Sequence, residues 1–361
     1  MSLSTYDAKL VKRIKNFTDV ATELSLLSNK HLSTVLETAT PLGTSIGGTA
    51  SLLTLGNTKI FVKKIRLTDI ERQPENIMST ANIFNLPLGC QYGIGSPGFG
   101  AWRELAAHTM STNWVISGDC PNFPICYHWR ILERSYSETP STEQLTELER
   151  DVNFWEGSAA VRERLLANLK ATADIVLFLE YFPENLHNWL KKQITLGGDV
   201  IESACTMVEN NLNAITTFIN SRGLVHSDAH FMNILTDGHR LYLTDFGLAT
   251  SNRFELSKSE ADFFEKHYNY DRCYTMAYLV EWLLTELFGA ENWFTGKYNT
   301  VLHEYASGKG RLLLPKIEKI IMRYLPVAII MNEFFIKLKD CKSTPYPSHE
   351  LERVCAANNI Y

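Results

Sequence analysis

A chain of 361 residues that is 45% hydrophobic and 21% charged, with 20 glycines and 12 prolines, can bury a sizeable core and is neither disordered nor fibrous in composition. The formal net charge of -5 excludes a bulk positive field drawing the chain to nucleic acid or to anionic lipid, so neither is expected as a principal partner. Seven cysteines (Cys90, Cys120, Cys126, Cys205, Cys273, Cys341 and Cys355) are odd in number, scattered and free of any Cys-x-x-Cys pair, which argues against a zinc site and for reduced structural thiols in a cytoplasmic protein.

From Met1 to Asn16 there is no apolar signal-like run, and the stretch reads as a short amphipathic helix with Lys9, Lys12, Arg13 and Lys15 on its polar side, within a helical extension over 1–32. Strand-like runs follow at Ser33 to Glu37, Ala50 to Leu55 and Lys59 to Arg66, the last two joined by a Gly56-Asn57 turn. Leu67 to Gly100 is loop-rich. Helical spacing returns over Ala101 to Ser117, with Leu105, Ala106, Met110 and Trp114 on one side. A strand pattern at Pro124 to Leu132 leads into a charged, mostly helical stretch from Ser141 to Lys170. Asp174 to Tyr181, apolar without a break from Ile175 to Leu179, suits a buried strand ended by Pro183.

Beyond Pro183 the chain turns helical, at Glu202 to Ser221, Arg272 to Leu287 and Pro315 to Leu338. Short strands are expected around Asn233 to Leu235 and Leu241 to Asp245. The apolar stretch Ile317 to Leu338 is interrupted by Lys319, Arg323, Glu333 and Lys337, costly in a bilayer, and reads as a core helix pair broken near Pro326. Strands first and helices after predict an α+β chain, with a sheet lobe over 33–182 carrying insertions at 67–100 and 133–173, and a helical lobe over 183–361.

The segment Leu224-Val225-His226-Ser227-Asp228-Ala229-His230-Phe231-Met232-Asn233-Ile234-Leu235, followed by Tyr242-Leu243-Thr244-Asp245-Phe246-Gly247-Leu248-Ala249, concentrates carboxylates and an amide in two loops around a short hairpin. Phosphoryl transfer asks for such a set, because there the protein positions a hydroxyl and neutralises charge with metal ions. One carboxylate should face the hydroxyl and another the metal.

These residues resemble the protein-kinase-like superfamily: His226-Ser227-Asp228 with Asn233 matches its H-x-D-x-x-x-x-N catalytic loop, and Asp245-Phe246-Gly247 its D-F-G. The resemblance implies a bilobal protein-kinase-like fold, with ATP and Mg²⁺ as cofactors. It implies that Asp228 is the catalytic base, that Asn233 and Asp245 hold the metal and that His226 supports the loop. Lys63, in Ile60-Phe61-Val62-Lys63, would meet the α- and β-phosphates, with Lys64 the alternative if the register slips by one. Gly43, Gly47 and Gly48 would form the phosphate loop between the first two strands. Glu104 would pair with Lys63, with Glu71 and Glu75 as runners-up. Leu179, Glu180, Tyr181 and Phe182 would be a hinge whose backbone bonds adenine above Leu235, with Leu179 as gatekeeper. Asp271 matches an Asp that hydrogen-bonds the catalytic-loop backbone; a capping charge is the alternative.

Ser227 stands where many protein kinases have an Arg that receives an activation-loop phosphate, so activity without loop phosphorylation is expected. His230 stands where aminoglycoside- and choline-type kinases have His, whereas Gly247 follows the protein-kinase phrasing, and no A-P-E motif lies between Gly247 and Asp271. The expected activity is transfer of the γ-phosphate of Mg·ATP to a protein Ser or Thr hydroxyl. The alternatives are a small-molecule kinase and a pseudokinase acting as a nucleotide-binding regulatory module. Thr250, Ser251, Ser257 and Ser259 are autophosphorylation candidates. The sequence names neither the acceptor nor the oligomeric state.

Overall fold

Two helices, α1 (Thr5–Leu26) and α2 (Asn29–Glu37), precede a five-stranded sheet made of β1 (Thr40–Ser45), β2 (Gly48–Leu55), β3 (Thr58–Leu67), β4 (Cys126–Glu133) and β5 (Ala173–Glu180), in a chain of α+β class. The computed structural model describes residues 5–45, 48–134, 140–289, 296–309 and 314–360. Strand order is β1-β2-β3-β5-β4, and every neighbouring pair is antiparallel. The unbroken apolar run of β5 follows from its central place: Ile175 to Leu179 are all buried. Gly56, at φ +52°, makes the tight turn between β2 and β3.

Ser33 to Glu37, expected as a strand, is instead the second half of α2. Ser28 caps that helix by accepting the His31 N–H, and Leu32 and Leu36, four apart, are buried on one face. The cap and the four-residue apolar spacing decide for helix.

Between β3 and β4 lies α3 (Ala101–Ile116), and between β4 and β5 lie α4 (Thr142–Phe154) and α5 (Ala159–Lys170). The sheet face of Ile65, Ile175, Leu177 and Leu179 packs with Ala101, Trp102 and Leu105 of α3. A second core joins Phe84, Leu86, Cys90 and Phe99, from the segment before α3, to Leu148, Val152, Trp155, Val161 and Leu248.

The remaining elements are β6 (Glu184–Asn185), α6 (Leu186–Leu196), α7 (Gly198–Ser221), β7 (Leu224–Val225), β8 (Ile234–Thr236), β9 (Leu241–Leu243), β10 (Thr250–Ser251), α8 (Lys258–Lys266), α9 (Tyr270–Phe288), α10 (Gly296–Ala306), α11 (Pro315–Asp340) and α12 (Ser348–Ala357). Pro326 does not break the expected helix pair: α11 is one continuous helix, with Leu325, Val327 and Ala328 buried on either side of the proline. Burial of that face and packing against α9 outweigh one missing backbone hydrogen bond.

The chain divides into two compact units. One comprises the chain up to Phe182 with Asp245–Ala249 and Phe254–Ser257, and the other holds Pro183–Thr244, Thr250–Arg253 and the chain from Lys258 onward. Among the described residues no helix is long and apolar enough to cross a membrane.

Leu177 is fully buried in β5 against α3. Leu177→Ala is expected to cost about 2–5 kcal/mol, read from chemical denaturation.

Candidate functional site

Alternation along β3 places Phe61, Lys63, Ile65 and Leu67 on one face, and the register sets Lys63 opposite Leu177 and Phe61 opposite Leu179. Lys64 belongs to the other face. Since α3 packs on the Lys63 face, Glu104, one turn into that helix, meets the lysine directly. Lys63 Nζ lies 2.7 Å from Glu104 Oε1 and 2.8 Å from Asp245 Oδ1. The lysine and Glu104 side chains are nearly sealed, at 7% and 4% exposure, whereas Asp245 keeps 37%. Burial pulls the Lys63 ammonium down, but Asp245 and Glu104 outweigh it and hold the group above the ordinary lysine range. Its Nζ donates to Asp245 Oδ1 and stands at ion-pair distance from Glu104 Oε1.

Asp245 has φ +64°, a left-handed conformation costing a side-chain-bearing residue about 1–3 kcal/mol, which its bond to Lys63 helps to hold. Phe246 is fully buried and meets His108 edge-on at 4.9 Å. His108 is one turn beyond Glu104, with Nε2 3.8 Å from Glu104 Oε1. At Gly247 a Cβ would stand 3.5 Å from both Asp245 Oδ1 and Glu104 Oε2, so the backbone passes close to both carboxylates. Leu248 fixes the end of this segment in the second core.

The other unit carries the His226 to Asn233 loop. Asp271, buried in the first turn of α9, accepts the His226 N–H at 2.6 Å and the Ser227 N–H at 2.9 Å. It therefore orders the loop backbone and does not cap its own helix. Ser227 takes φ +68° under this restraint. His226 is sealed from solvent; its Nδ1 accepts the Asp228 N–H at 3.2 Å, which assigns the proton to Nε2, 2.9 Å from Thr244 O. Asn233 donates Nδ2–H to Asp228 O at 3.0 Å and to Asp228 Oδ2 at 3.2 Å. The Thr244 N–H donates to Asn233 O at 3.0 Å, tying the loop to the strand that leads into Asp245.

Asp228 retains 23% exposure and His230 29%, with His230 Nε2 3.7 Å from Asp228 Oδ2. Beside this pair stand two α9 tyrosines that the sequence did not single out: Tyr278 stacks on His230 at 6.3 Å, and Tyr274 lies 6.0 Å from Tyr278. Burial and the Asp228 carboxylate push both phenols up. Only the position of the loop shows that they border a carboxylate.

Other expected positions fall differently. Gly43 lies inside β1 at a bulge and pairs with Ala50, so it is not in a loop between strands. Gly48 opens β2, and a Cβ there would meet Lys64 O at 2.0 Å; close strand packing accounts for this glycine. Gly47 lies outside the described residues. Leu179 is buried between Phe61 and Cys126. Glu180 directs its side chain to Arg13 of α1, at 2.7 Å, and its N–H to Ile125 O at 2.8 Å. Tyr181 and Phe182 are half-buried, under Lys59 and Arg13 respectively. Leu235 lies half-buried in β8 opposite Tyr242. Glu75 is exposed, and Glu71 sits at the start of α3 away from Lys63. Thr250 and Ser251 are buried in β10, which corrects their reading as modifiable; Ser257 and Ser259 are exposed.

Among the described residues no cluster of three or more His, Cys, Asp or Glu side chains could hold a metal. Asp245 in one unit presents a partly exposed carboxylate, and Asn233 in the other has its Nδ2 engaged by Asp228; oxygen donors of this kind are the type that magnesium takes. No protein-family profile and no curated protein matches the chain.

Burial pushes the Asp271 carboxyl up to about 6, despite the two backbone N–H donors. The folded chain then holds the proton more tightly than the unfolded one, so stability present below pH 4 is lost as pH rises through 6. The unfolding free energy of wild type relative to Asp271→Asn should fall by about 2 kcal/mol from pH 4 to pH 7 in denaturant titrations, and parallel curves would contradict this.

Proposed function

We propose that the chain is an ATP- and Mg²⁺-dependent phosphotransferase of the protein-kinase-like superfamily, with its bilobal fold, acting on a protein Ser or Thr hydroxyl. The observation that carries this is the buried Lys63 ammonium held between Glu104 and Asp245, three residues far apart in sequence and each at the motif position assigned to it. Such a cation has its charge fixed before any phosphate arrives, so little reorganisation opposes binding.

In the proposed reaction Lys63 donates to the α- and β-phosphate oxygens while Glu104 keeps it in place. Asp228, oriented by the Asn233 amide and by the His226 ring through its own N–H, accepts the acceptor's hydroxyl proton. The hydroxyl oxygen bonds the γ-phosphorus as the bond to the β-γ bridging oxygen breaks, and ADP leaves. Asp245 and Asn233 would hold magnesium, which when bound neutralises charge on the phosphate oxygens. Asp271, locking the loop backbone, does part of the ordering for which other kinases use a loop phosphate.

A second reading, phosphorylation of a small molecule, is favoured by His230 beside Asp228 and by the tyrosine wall of Tyr274 and Tyr278. Incubation with Mg·ATP followed by peptide mass spectrometry separates the two. Phosphate on Ser257 or Ser259 supports the protein kinase, and turnover only with added small hydroxyl compounds supports the other.

Asp228→Asn should lower transfer from radiolabelled ATP by about a thousandfold or more with the KM for ATP within about threefold. Equal turnover in wild type and variant would remove Asp228 as the base.

A further inference from the structure

We propose that the buried ion pair between Glu71 and Arg164 is a positioning latch that fixes the N-terminus of α3 and thereby keeps Glu104 against Lys63. For its catalytic consequence this rests on the phosphotransferase function above; its structural part does not.

Glu71 and Arg164 are 1% and 4% exposed, and Arg164 Nη1 lies 2.9 Å from Glu71 Oε2. A charged pair this deep persists only when its remaining polar atoms are satisfied. Here they are. Glu71 Oε2 also accepts the Thr68 N–H at 2.9 Å and the Thr68 hydroxyl at 2.7 Å. Its Oε1 accepts the Ala101 N–H at 2.7 Å, the first amide of α3, and its carbonyl takes the Trp102 indole N–H at 2.9 Å. The carboxylate thus occupies the electropositive end of the helix that bears Glu104 one turn later. Arg164 donates Nε–H to Gly98 O at 3.3 Å and lies over the Phe84 ring at 5.0 Å.

Glycine at position 100 is required by the same contact: φ is +123°, and a Cβ would lie 2.8 Å from Glu71 Oε1. The adjoining residue is held from the same insertion, since Arg103 donates Nε–H to Thr80 O at 2.7 Å. Thr80 and Ser79 in turn bind Glu255, through the Thr80 N–H at 3.1 Å and the Ser79 hydroxyl at 2.5 Å. The segment between β3 and α3 is therefore a built-in brace on both Glu104 and the chain following Asp245. In this arrangement α3 stays in its paired position without a phosphate or an activating partner.

The test is the acylation rate of Lys63 by a succinimidyl ester in the full folded chain, read by peptide mass spectrometry with exposed Lys59 as internal reference. Arg164→Met should raise Lys63 labelling by about fivefold or more at constant Lys59 labelling, because a lysine released from Glu104 is no longer shielded from the reagent at 7% exposure. Arg164→Lys, which keeps a charge but not the fork, should give a smaller increase and covers the case in which Arg164→Met fails to fold. Unchanged Lys63 labelling in a folded variant overturns the latch. Phosphate transfer is measured on the same proteins, with kcat expected to fall about tenfold and KM for ATP to move less than threefold in Arg164→Met. If Lys63 is unmasked but wild type transfers no phosphate, the assigned activity fails and the latch stands. If wild type is active and Arg164→Met leaves Lys63 protected, the latch fails and the activity stands.

Discussion

A lysine ammonium taken almost wholly out of water is tolerable only with compensating charge, and the Lys63 environment is organised around that requirement. Glu104 and Asp245 supply the compensation from a helix and from a left-handed turn, and each needs its own support. Packing of Ala101, Trp102 and Leu105 on the sheet sets the helix, while Phe246 and Leu248, both buried, anchor the turn on either side of Gly247. An error in any of these would leave a buried charge unpaired, so the cluster constrains the surrounding fold more than its three residues suggest.

The loop from His226 to Asn233 follows a different logic. Its ordering comes from backbone hydrogen bonds to one buried carboxylate, Asp271, and from a histidine whose two nitrogens bridge backbone groups on the two sides of the hairpin. Asp228 is left partly exposed, as its proposed role of proton acceptor requires.

Much of this was legible in the sequence, and the reasons are local. The Gly56-Asn57 turn, the unbroken Ile175 to Leu179 run and the helical spacing after Ala101 are signals that tertiary contacts reinforce. The pairing of Glu104 with Lys63 was legible only through motif order, since 40 residues of chain separate them. What the sequence hid depended on long-range contacts. The helix at Ser33 to Glu37 is decided by a cap five residues earlier, and the continuity of α11 through Pro326 by burial of the flanking residues. Glu71 offered no sign of its helix-anchoring role, because its partners Ala101 and Arg164 lie far along the chain. Gly48 looked like a phosphate-loop glycine, yet its neighbour is the Lys64 carbonyl.

The most direct measurement is calorimetric titration of ADP into the wild-type chain, Lys63→Met and Asp245→Asn, with and without magnesium. A prearranged cation and carboxylate at the proposed phosphate-binding position predict ADP binding by wild type that magnesium strengthens about tenfold or more. Lys63→Met should bind at least about tenfold more weakly, and Asp245→Asn should lose the magnesium enhancement. No binding by the folded wild type, or equal affinity in all three proteins, would contradict the account.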